Sequence, residues 1–383
     1  MTADRDNCQP HPPRVLFFSQ RNLYEREVWR ASFLEFERIL QQIDSVDVVA
    51  PRRKSWYRNG KRLALRLGER FKTPIDPGVE SVQLDKDYDI FFVVCEKASE
   101  LLHVNAVKGW KDRCKTSICL LTEFWINQMT GHKSCLEVLT QFDHVLFMFN
   151  TNEPFMSYVR GTGRYMAAGI DAIRFCPYPN PPERSIDVLS IGRRSEKTHQ
   201  ALLKLAAEKG IFYIHDTIDS LAAYDISQHR RQMADMLKRT RYFLVNPGKI
   251  DNPAETGGQV EFGYRYFEGA APGTIMVGEI PRNREFPKIF NWNDVVVQMP
   301  YDSEDIGQVM KELDRQPERQ ANMRRNNVTQ VLLHHDWAHR WETVLSLAEI
   351  PPLPALSERK QRLTELAALV QENYRQPQRV AAC

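Results

Sequence analysis

Residues 261 to 277 read EFGYRYFEGAAPGTIMV, and this stretch decides the fold. Its first part predicts a helix from Arg265 to Ala271, and the pair Pro272-Gly273 ends that helix. An apolar run of strand length follows directly, from Thr274 to Val277. A helix that leads at once into an apolar strand, with small residues where the two would pack, is typical of a parallel α/β sheet.

The same alternation of helix and strand continues on both sides of this stretch. Between the two halves of the chain, residues 176 to 184 read CPYPNPPER, and four prolines in nine residues exclude a helix or a central strand there. This segment is therefore a predicted linker between domains. The expected strands are 15–18, 46–50, 90–94, 117–121, 145–149, 186–191, 212–215, 242–245, 274–277 and 295–298, and the expected helices are 25–41, 199–209, 230–239, 265–271, 303–314 and 357–374.

We predict an α/β fold with two Rossmann-like, doubly wound domains that face a cleft. The expected boundaries are 1–180 for the first domain and 181–335 for the second. Residues 336–383 are expected to form a closing helix and a C-terminal helical tail. A chain of 383 residues has the length of two ordinary domains.

Composition narrows the class of protein. A net charge of +3 excludes a polycation built for nucleic acid, so any basic surface must be local. No apolar run is long enough to cross a membrane, and residues 1–14 lack the apolar middle of a signal peptide. The seven cysteines include no Cys-x-x-Cys pair, which is typical of reduced thiols. We expect a cytoplasmic protein.

Two places in the second half carry candidate binding chemistry, because parallel sheets bind ligands where strands end and helices begin. Gly192 follows a strand and permits a tight turn, and Arg193 and Lys197 beside it could neutralise a diphosphate. An ordinary solvated turn is the other interpretation. Arg265 and Glu268 share one helix face, where the carboxylate could accept ribose hydroxyls and the arginine could pair with phosphate. A surface ion pair is the alternative there.

These residues lie within a specific resemblance. The run RYFEGAAPGTIMVGE, residues 265–279, resembles the C-terminal signature of GT-B glycosyltransferases of the family 4 kind. Residues 166–177, MAAGIDAIRFCP, resemble the stretch that enters the linker in such enzymes, and Gly192-Arg193 with Lys197 resembles their diphosphate element. The segment 334–345 resembles their closing helix.

The resemblance implies transfer of a sugar from a nucleotide-diphosphate sugar in the second domain to an acceptor on the first. It also implies retention of anomeric configuration, no cofactor and no metal. The residues expected to bind the donor are Gly192, Arg193, Lys197, Arg265, Glu268, Gly273 and Thr274. The histidine-rich run around His335 is accordingly expected to be a solvated helix face. The residues leave two other functions open: a GT-B-shaped binding or scaffold protein, and a sugar-nucleotide hydrolase or epimerase.

The chain departs from the family pattern at one point. In that pattern seven residues separate two glutamates, whereas six separate Glu261 from Glu268, and Val260 stands in the matching position. The resemblance implies that the first glutamate lies near the sugar, so Glu261 is a candidate catalytic residue, with Glu255 as an alternative. On the first domain Glu123 follows a strand, where a catalytic base or acceptor contact is expected. A helix cap is the plainer interpretation of such a carboxylate.

A basic segment remains. Residues 52–72 contain nine Lys or Arg against one acid, Glu69, with apolar residues between them. Such a pattern is compatible with contact to an anionic acceptor or a membrane surface, such as a lipid-linked phosphate. A solvated basic helix is the alternative, and nucleic acid is not expected because the segment is short.

Overall fold

The computed structural model describes residues 13–24, 27–217 and 222–375. The N-terminal segment discussed above, apart from residues 13 and 14, and the last eight residues lie outside this description, as do the first two residues of the predicted helix 25–41. No helix in the described ranges is long and apolar enough to cross a membrane.

The first domain is built on a six-stranded parallel sheet with the order β2-β1-β4-β6-β7-β8. A two-stranded parallel pair, β3 with β5, lies beside it. The strands are β1 (Val15–Phe18), β2 (Val46–Val49), β3 (Val82–Gln83), β4 (Tyr88–Cys95), β5 (Val107–Lys108), β6 (Cys114–Leu121), β7 (His144–Phe147) and β8 (Thr162–Tyr165). The helices are α1 (Ala31–Ile43), α2 (Tyr57–Phe71), α3 (Trp110–Arg113), α4 (Lys133–Leu136) and α5 (Ala172–Phe175), with 3-10 turns at Val28–Arg30, Ala98–Ala106, Ile126–Gly131, Glu137–Gln141 and Glu153–Tyr158.

The second domain has a five-stranded parallel sheet with the order β10-β9-β11-β12-β13. Its strands are β9 (Ile186–Ser190), β10 (Tyr213–His215), β11 (Thr240–Val245), β12 (Ile275–Gly278) and β13 (Val296–Gln298). The remaining helices are α6 (Glu196–Lys209), α7 (Ile226–Lys238), α8 (Pro253–Thr256), α9 (Arg265–Ala270), α10 (Phe286–Ile289), α11 (Ile306–Asp314), α12 (Pro317–His334), α13 (Trp337–Leu347) and α14 (Pro354–Arg375).

Continuous apolar strands explain why both sheets are covered on two faces. In β1, Val15 and Phe17 pack into one core cluster, and Leu16 and Phe18 pack into another on the opposite face. Successive side chains of a strand point to opposite faces, so a strand that is apolar throughout needs helices on both sides. The predicted doubly wound α/β fold is confirmed in this respect.

Two differences from the predicted elements have a local cause. Helix α6 begins at Glu196, not at residue 199, because the Ser195 hydroxyl caps it by accepting from the Thr198 amide. Helix α12 is absent from the sequence prediction. Eighteen residues form it, but its N-terminal half is polar and its apolar residues are concentrated toward its C-terminal end, so its periodicity is weak.

The closing helices return to the first domain. Trp337 at the start of α13 stacks on Phe36 of α1, with ring centroids 4.4 Å apart, and its indole N–H donates to Glu35 at 3.0 Å. Trp341 donates to Asp44 at 2.7 Å. On the last helix, α14, the Arg359 side chain donates to Asp336 and to Asp171, at 2.8 Å each. Elements distant in sequence therefore hold the two domains together.

One expectation about the closing segment is wrong. His335 does not lie on a solvated helix face but is buried against Phe267 and Phe290. Its ring nitrogens meet the Ile289 carbonyl at 3.0 Å and the Arg340 guanidinium at 2.9 Å. Since the guanidinium donates to one nitrogen, the other carries the proton, and burial together with Arg340 lowers the pKa of His335.

We expect Trp337→Ala to lower the free energy of unfolding by about 3–5 kcal/mol, because it removes a fully buried ring and leaves a cavity beside Glu35. Urea denaturation measures this. The control is Glu342→Ala on an exposed turn of the same helix, which should change the value by less than about 0.5 kcal/mol. Equal effects of the two substitutions would contradict the role of the closing helix.

Candidate functional site

The turn after β9 stands where the order of strands in the second sheet reverses, between β9 and β11. In open parallel sheets this position at the carboxyl edge is the usual ligand site. Gly192 there has φ +86°, a conformation that side chains rarely adopt. A Cβ placed on Gly192 would lie 3.7 Å from a terminal nitrogen of Arg265. The structure thus brings together two residues 73 positions apart that the sequence assigned to one site.

Charged groups surround this turn. The Arg193 guanidinium contacts both carboxylate oxygens of Asp251 at 3.0 Å, and Lys197 lies exposed in the first turn of α6. The Gly192 amide donates to Asp216 at 2.5 Å, so a carboxylate holds the amide that the sequence assigned to a phosphate. The donors of this turn therefore already bind carboxylates, and groups that bind carboxylate oxygens are the groups expected to bind a diphosphate.

A depression of about 240 Å³ opens beside this turn at the carboxyl ends of the second sheet. Gly278 lines it with φ +149°, and a Cβ there would meet the Val245 carbonyl at 1.9 Å. Only glycine lets the ends of β11 and β12 approach so closely. The other lining residues are Ser190, Arg194, Ser195, Thr198, Leu244, Asn246, Val277, Met299 and Tyr301. Sequence patterns did not single out Asn246, Thr198 or Tyr301.

Glu268 is buried and ionised one turn into α9. Its two oxygens accept from different arginines, one from Arg230 and the other from Arg265 at 2.5 Å. Burial disfavours the charged carboxylate, but the guanidinium groups of Arg265 and Arg230 outweigh it and lower the pKa of Glu268 to about 2. Glu268 therefore orients Arg265 toward the Gly192 turn, and any ribose contact must use its remaining lone pairs. The ribose role stays a prediction.

The same chain of charges crosses between the domains. Arg230 on α7 donates to Glu35 of α1 at 2.7 Å as well as to Glu268. This pair was not predicted from the sequence, although a signal exists. Arg230 occupies the same face of its helix as the buried residues Met233, Ala234 and Leu237, and a charge at an apolar position of a helix needs a buried partner.

The predicted roles of Gly273 and Thr274 are corrected. Thr274 precedes β12 and lies at the amino edge of the sheet, opposite the ligand edge. It is fully buried, and its hydroxyl donates to the Leu237 carbonyl at 2.8 Å. Gly273 packs against Arg324 and Val328 of α12, where a Cβ would meet an atom at 2.8 Å. Both residues fix the helix-to-strand turn and do not face the site.

The two candidate catalytic carboxylates lie on the interface between the domains. Glu261 accepts from the backbone amides of Asn150 at 2.6 Å and Thr151 at 3.0 Å. Glu123 accepts from the Trp125 indole at 2.7 Å and pairs with Lys249 at 3.2 Å. Neither carboxylate lines the depression in the second domain. Their contacts join the first domain to the second, and their catalytic roles stay predictions.

Glu255, the alternative to Glu261, also belongs to this interface. It pairs with the same Lys249 that contacts Glu123, and it accepts from Asn252 at 3.1 Å. Lys249 thus bridges a carboxylate of each domain. Gln259 ties the same loops by accepting from the Ile126 amide and donating to the Phe124 carbonyl, both at 3.0 Å. The loop 248–261 therefore contacts the loops after β6 and β7 of the first domain.

A second depression, of about 340 Å³, lies in the first domain where its strand order reverses between β1 and β4. It is the counterpart, across the cleft, of the depression in the second sheet. Both apolar and polar residues line it. The lining residues are Phe17, Phe18, Ser19, Gln20, Arg21, Tyr24, Arg30, Phe33, Leu34, Glu37 and Val94.

Buried charges support the wall of this first-domain depression. Arg30 contacts Glu100 at 2.7 Å and Glu96 at 3.5 Å, so one cation faces two carboxyl groups. Burial and the neighbouring Glu100 raise the pKa of Glu96 to about 9, although Arg30 acts in the opposite direction. At neutral pH Glu96 is therefore protonated and can donate a hydrogen bond, and perturbed carboxyls of this kind concentrate at functional sites.

Comparison with known proteins agrees with this geometry. Residues 197–346 match the family model described as glycosyl transferase-like. An α-glucosyltransferase in complex with UDP and a 13-mer DNA superimposes with a TM-score of 0.51 at 11% identity, covering 88% of this chain and 100% of the other. Anabaena HepE in complex with UDP-glucose gives a TM-score of 0.51 at 9% identity, covering 88% and 99%. No curated protein matches the chain.

The solved structures confirm the GT-B fold with two Rossmann-like domains, and the family model matches the second half of the chain, where the resemblance lies. In the described part of the chain, no cluster of three or more His, Cys, Asp or Glu is arranged to hold a metal ion.

We expect Glu96→Gln to stabilise the protein at pH 8 by on the order of 1–3 kcal/mol and to leave it unchanged near pH 4. The pKa of Glu96 is about 9 in the folded protein and near 4.5 when unfolded, so folding takes up a proton between these values. Stability therefore falls as pH rises through that range, and glutamine, which resembles the protonated acid, avoids the loss.

Urea denaturation at several pH values between 4 and 9 measures this difference. Glu80→Gln, at an exposed position, is the control and should follow the parent at every pH. A parent protein whose free energy of unfolding has the same pH dependence as that of Glu96→Gln would contradict a protonated Glu96.

Proposed function

We propose that this protein with a GT-B fold is a glycosyltransferase, which transfers a hexose from UDP-hexose, bound at the Gly192 turn, to an acceptor held in the first-domain depression. The observation that carries the proposal is the meeting of Arg265 with Gly192 at the carboxyl edge of the second sheet. The neighbouring structures with UDP and UDP-glucose support uridine as the base and glucose as the first sugar to test.

The donor's parts correspond to chemically distinct parts of the site. The base enters the depression lined by Asn246 and Tyr301. The diphosphate lies at the Gly192 turn, where it displaces the Asp216 carboxylate from the amide. The ribose then lies beside Glu268.

Positive side chains replace a metal in this mechanism. As the bond between sugar and diphosphate breaks, negative charge accumulates on the leaving phosphate, and Arg265, Arg193 and Lys197 stabilise it. Arg265 is held for this task because Glu268 fixes its position at 2.5 Å. We accordingly propose that activity needs no divalent cation and survives a chelator.

The acceptor side is proposed from the first-domain depression. A sugar acceptor needs polar groups for its hydroxyls and an apolar surface for its rings, and this depression is lined by Ser19 and Arg21 together with phenylalanines. Protonated Glu96 supports the wall through Arg30. Retention of anomeric configuration and the finer likeness to family 4 belong to this proposal, and NMR of the product's anomeric proton tests the first.

We expect Arg265→Met to weaken UDP binding by tenfold or more, because methionine keeps the length of the side chain and removes the charge that meets the diphosphate. Uridine, which lacks phosphates, should lose much less affinity. Isothermal titration calorimetry of both ligands measures this. The control is Arg319→Met, which removes a partly exposed, paired arginine from the same domain and should bind UDP like the parent.

Turnover distinguishes transfer from the two other functions. Release of UDP from UDP-glucose that rises with an added acceptor supports transfer, whereas acceptor-independent release indicates a hydrolase. UDP binding without any turnover indicates a scaffold protein. A parent protein that binds no uridine nucleotide, or an Arg265→Met variant that binds UDP as tightly as the parent, contradicts the proposed donor site.

A further inference from the structure

Helix α2 carries a stripe of arginines on its outer face. Arg58, Arg62, Arg66 and Arg70 follow one another at intervals of four residues and are all exposed. At a rise of about 1.5 Å per residue the stripe extends over about 18 Å. Within the described residues none of the four makes an ion pair or a side-chain hydrogen bond. We name these residues the arginine stripe.

The folding of α2 explains why this face has no anionic partner. The small residues Gly60, Ala64 and Gly68 are buried and bring the helix close to the domain. Glu69, the one acid of the segment, turns inward and accepts from the Ser134 amide at 2.8 Å and its hydroxyl at 2.9 Å. The sequence shows only that this segment has an excess of positive charge. The structure shows that its one acid, Glu69, faces inward, away from the arginine stripe.

Apolar side chains border the arginine stripe. Leu63 is 56% exposed and Phe71 is 63% exposed, and Trp56 just before the helix is 47% exposed. Basic residues with exposed aromatic and aliphatic neighbours on one helix are typical of helices that lie in the interface of a bilayer. A nucleic-acid surface would match the arginines but would leave Leu63 and Phe71 without an apolar environment.

The inner side of α2 reaches the first-domain depression. Tyr57 contacts His103 at 3.0 Å, and His103 contacts Gln20, which lines the depression, at 2.7 Å. Lys61 donates to Tyr24, another lining residue, at 3.2 Å. The arginine stripe therefore lies about one helix diameter, roughly 10 Å, from the wall of the depression.

We propose that α2 docks on a bilayer that contains anionic lipids, with the arginine stripe on the headgroups and Leu63 and Phe71 entering the acyl boundary. Docking in this orientation brings the first-domain depression to the membrane surface, so the acceptor is the headgroup of a lipid. The choice of acceptor rests on the proposed function, whereas the docking does not.

Cosedimentation of the full chain with vesicles tests the docking. We expect binding to vesicles of phosphatidylcholine with phosphatidylglycerol, little binding to phosphatidylcholine alone, and release at high salt. Each basic residue contributes a factor of about five to partitioning, so Arg62→Gln with Arg66→Gln should weaken binding about 25-fold. The control, Lys204→Gln with Lys209→Gln, removes two exposed charges from α6 and should bind like the parent.

Leu63→Ser with Phe71→Ser separates the apolar contribution and should weaken binding even at low salt. Equal binding to both kinds of vesicle, or unchanged binding by the arginine variant, overturns the docking. Tighter binding to a double-stranded DNA fragment than to anionic vesicles, lost in the arginine variant, overturns the assignment to lipid. UDP calorimetry on the same variants must match the parent, so a failure of docking is distinguishable from a failure of the donor site.

Discussion

The buried chain of charges from Glu35 through Arg230 and Glu268 to Arg265 is the interaction on which the site depends. Its first member belongs to a helix of the first domain and the other three to the second domain. A buried arginine between two carboxylates is stable only while both partners are present, because loss of either leaves a charge without compensation. The domain arrangement and the direction of Arg265 are therefore set by one network.

This network explains how a surface site acquires a fixed geometry. Arg265 is about one third exposed and would sample many conformations on an isolated helix. The ion pair with Glu268 restricts Arg265, and Arg230 in turn restricts Glu268. At the other end of the network, Glu35 binds Arg230 and is itself held by the Trp337 indole. A charge held in place before the reaction stabilises a developing phosphate charge more effectively than one that must reorganise. The closing helix thus contributes to a site that it does not touch.

Sequence patterns predicted the fold well because strand and helix patterns are local. They also predicted that Gly192 and Arg265 lie at the same edge of the second sheet. This follows because the carboxyl ends of parallel strands lie at one edge of a sheet. They wrongly predicted Thr274 as a donor-binding residue. The family motif identifies a continuous stretch of sequence but does not indicate which end of the strand faces the cleft. Arg230 and Glu35 were missed because 195 positions separate the partners, and Glu261 engages backbone amides that no side-chain pattern reveals.

The arrangement has two depressions, each where the strand order of its sheet reverses, with the interdomain loops between them. Hydrogen exchange with and without saturating UDP tests most directly whether the donor lies where this account puts it. We expect slower amide exchange in residues 191–198, 244–248 and 277–279, with α2 unchanged. Protection confined to the first domain, or no protection in the second, would contradict it.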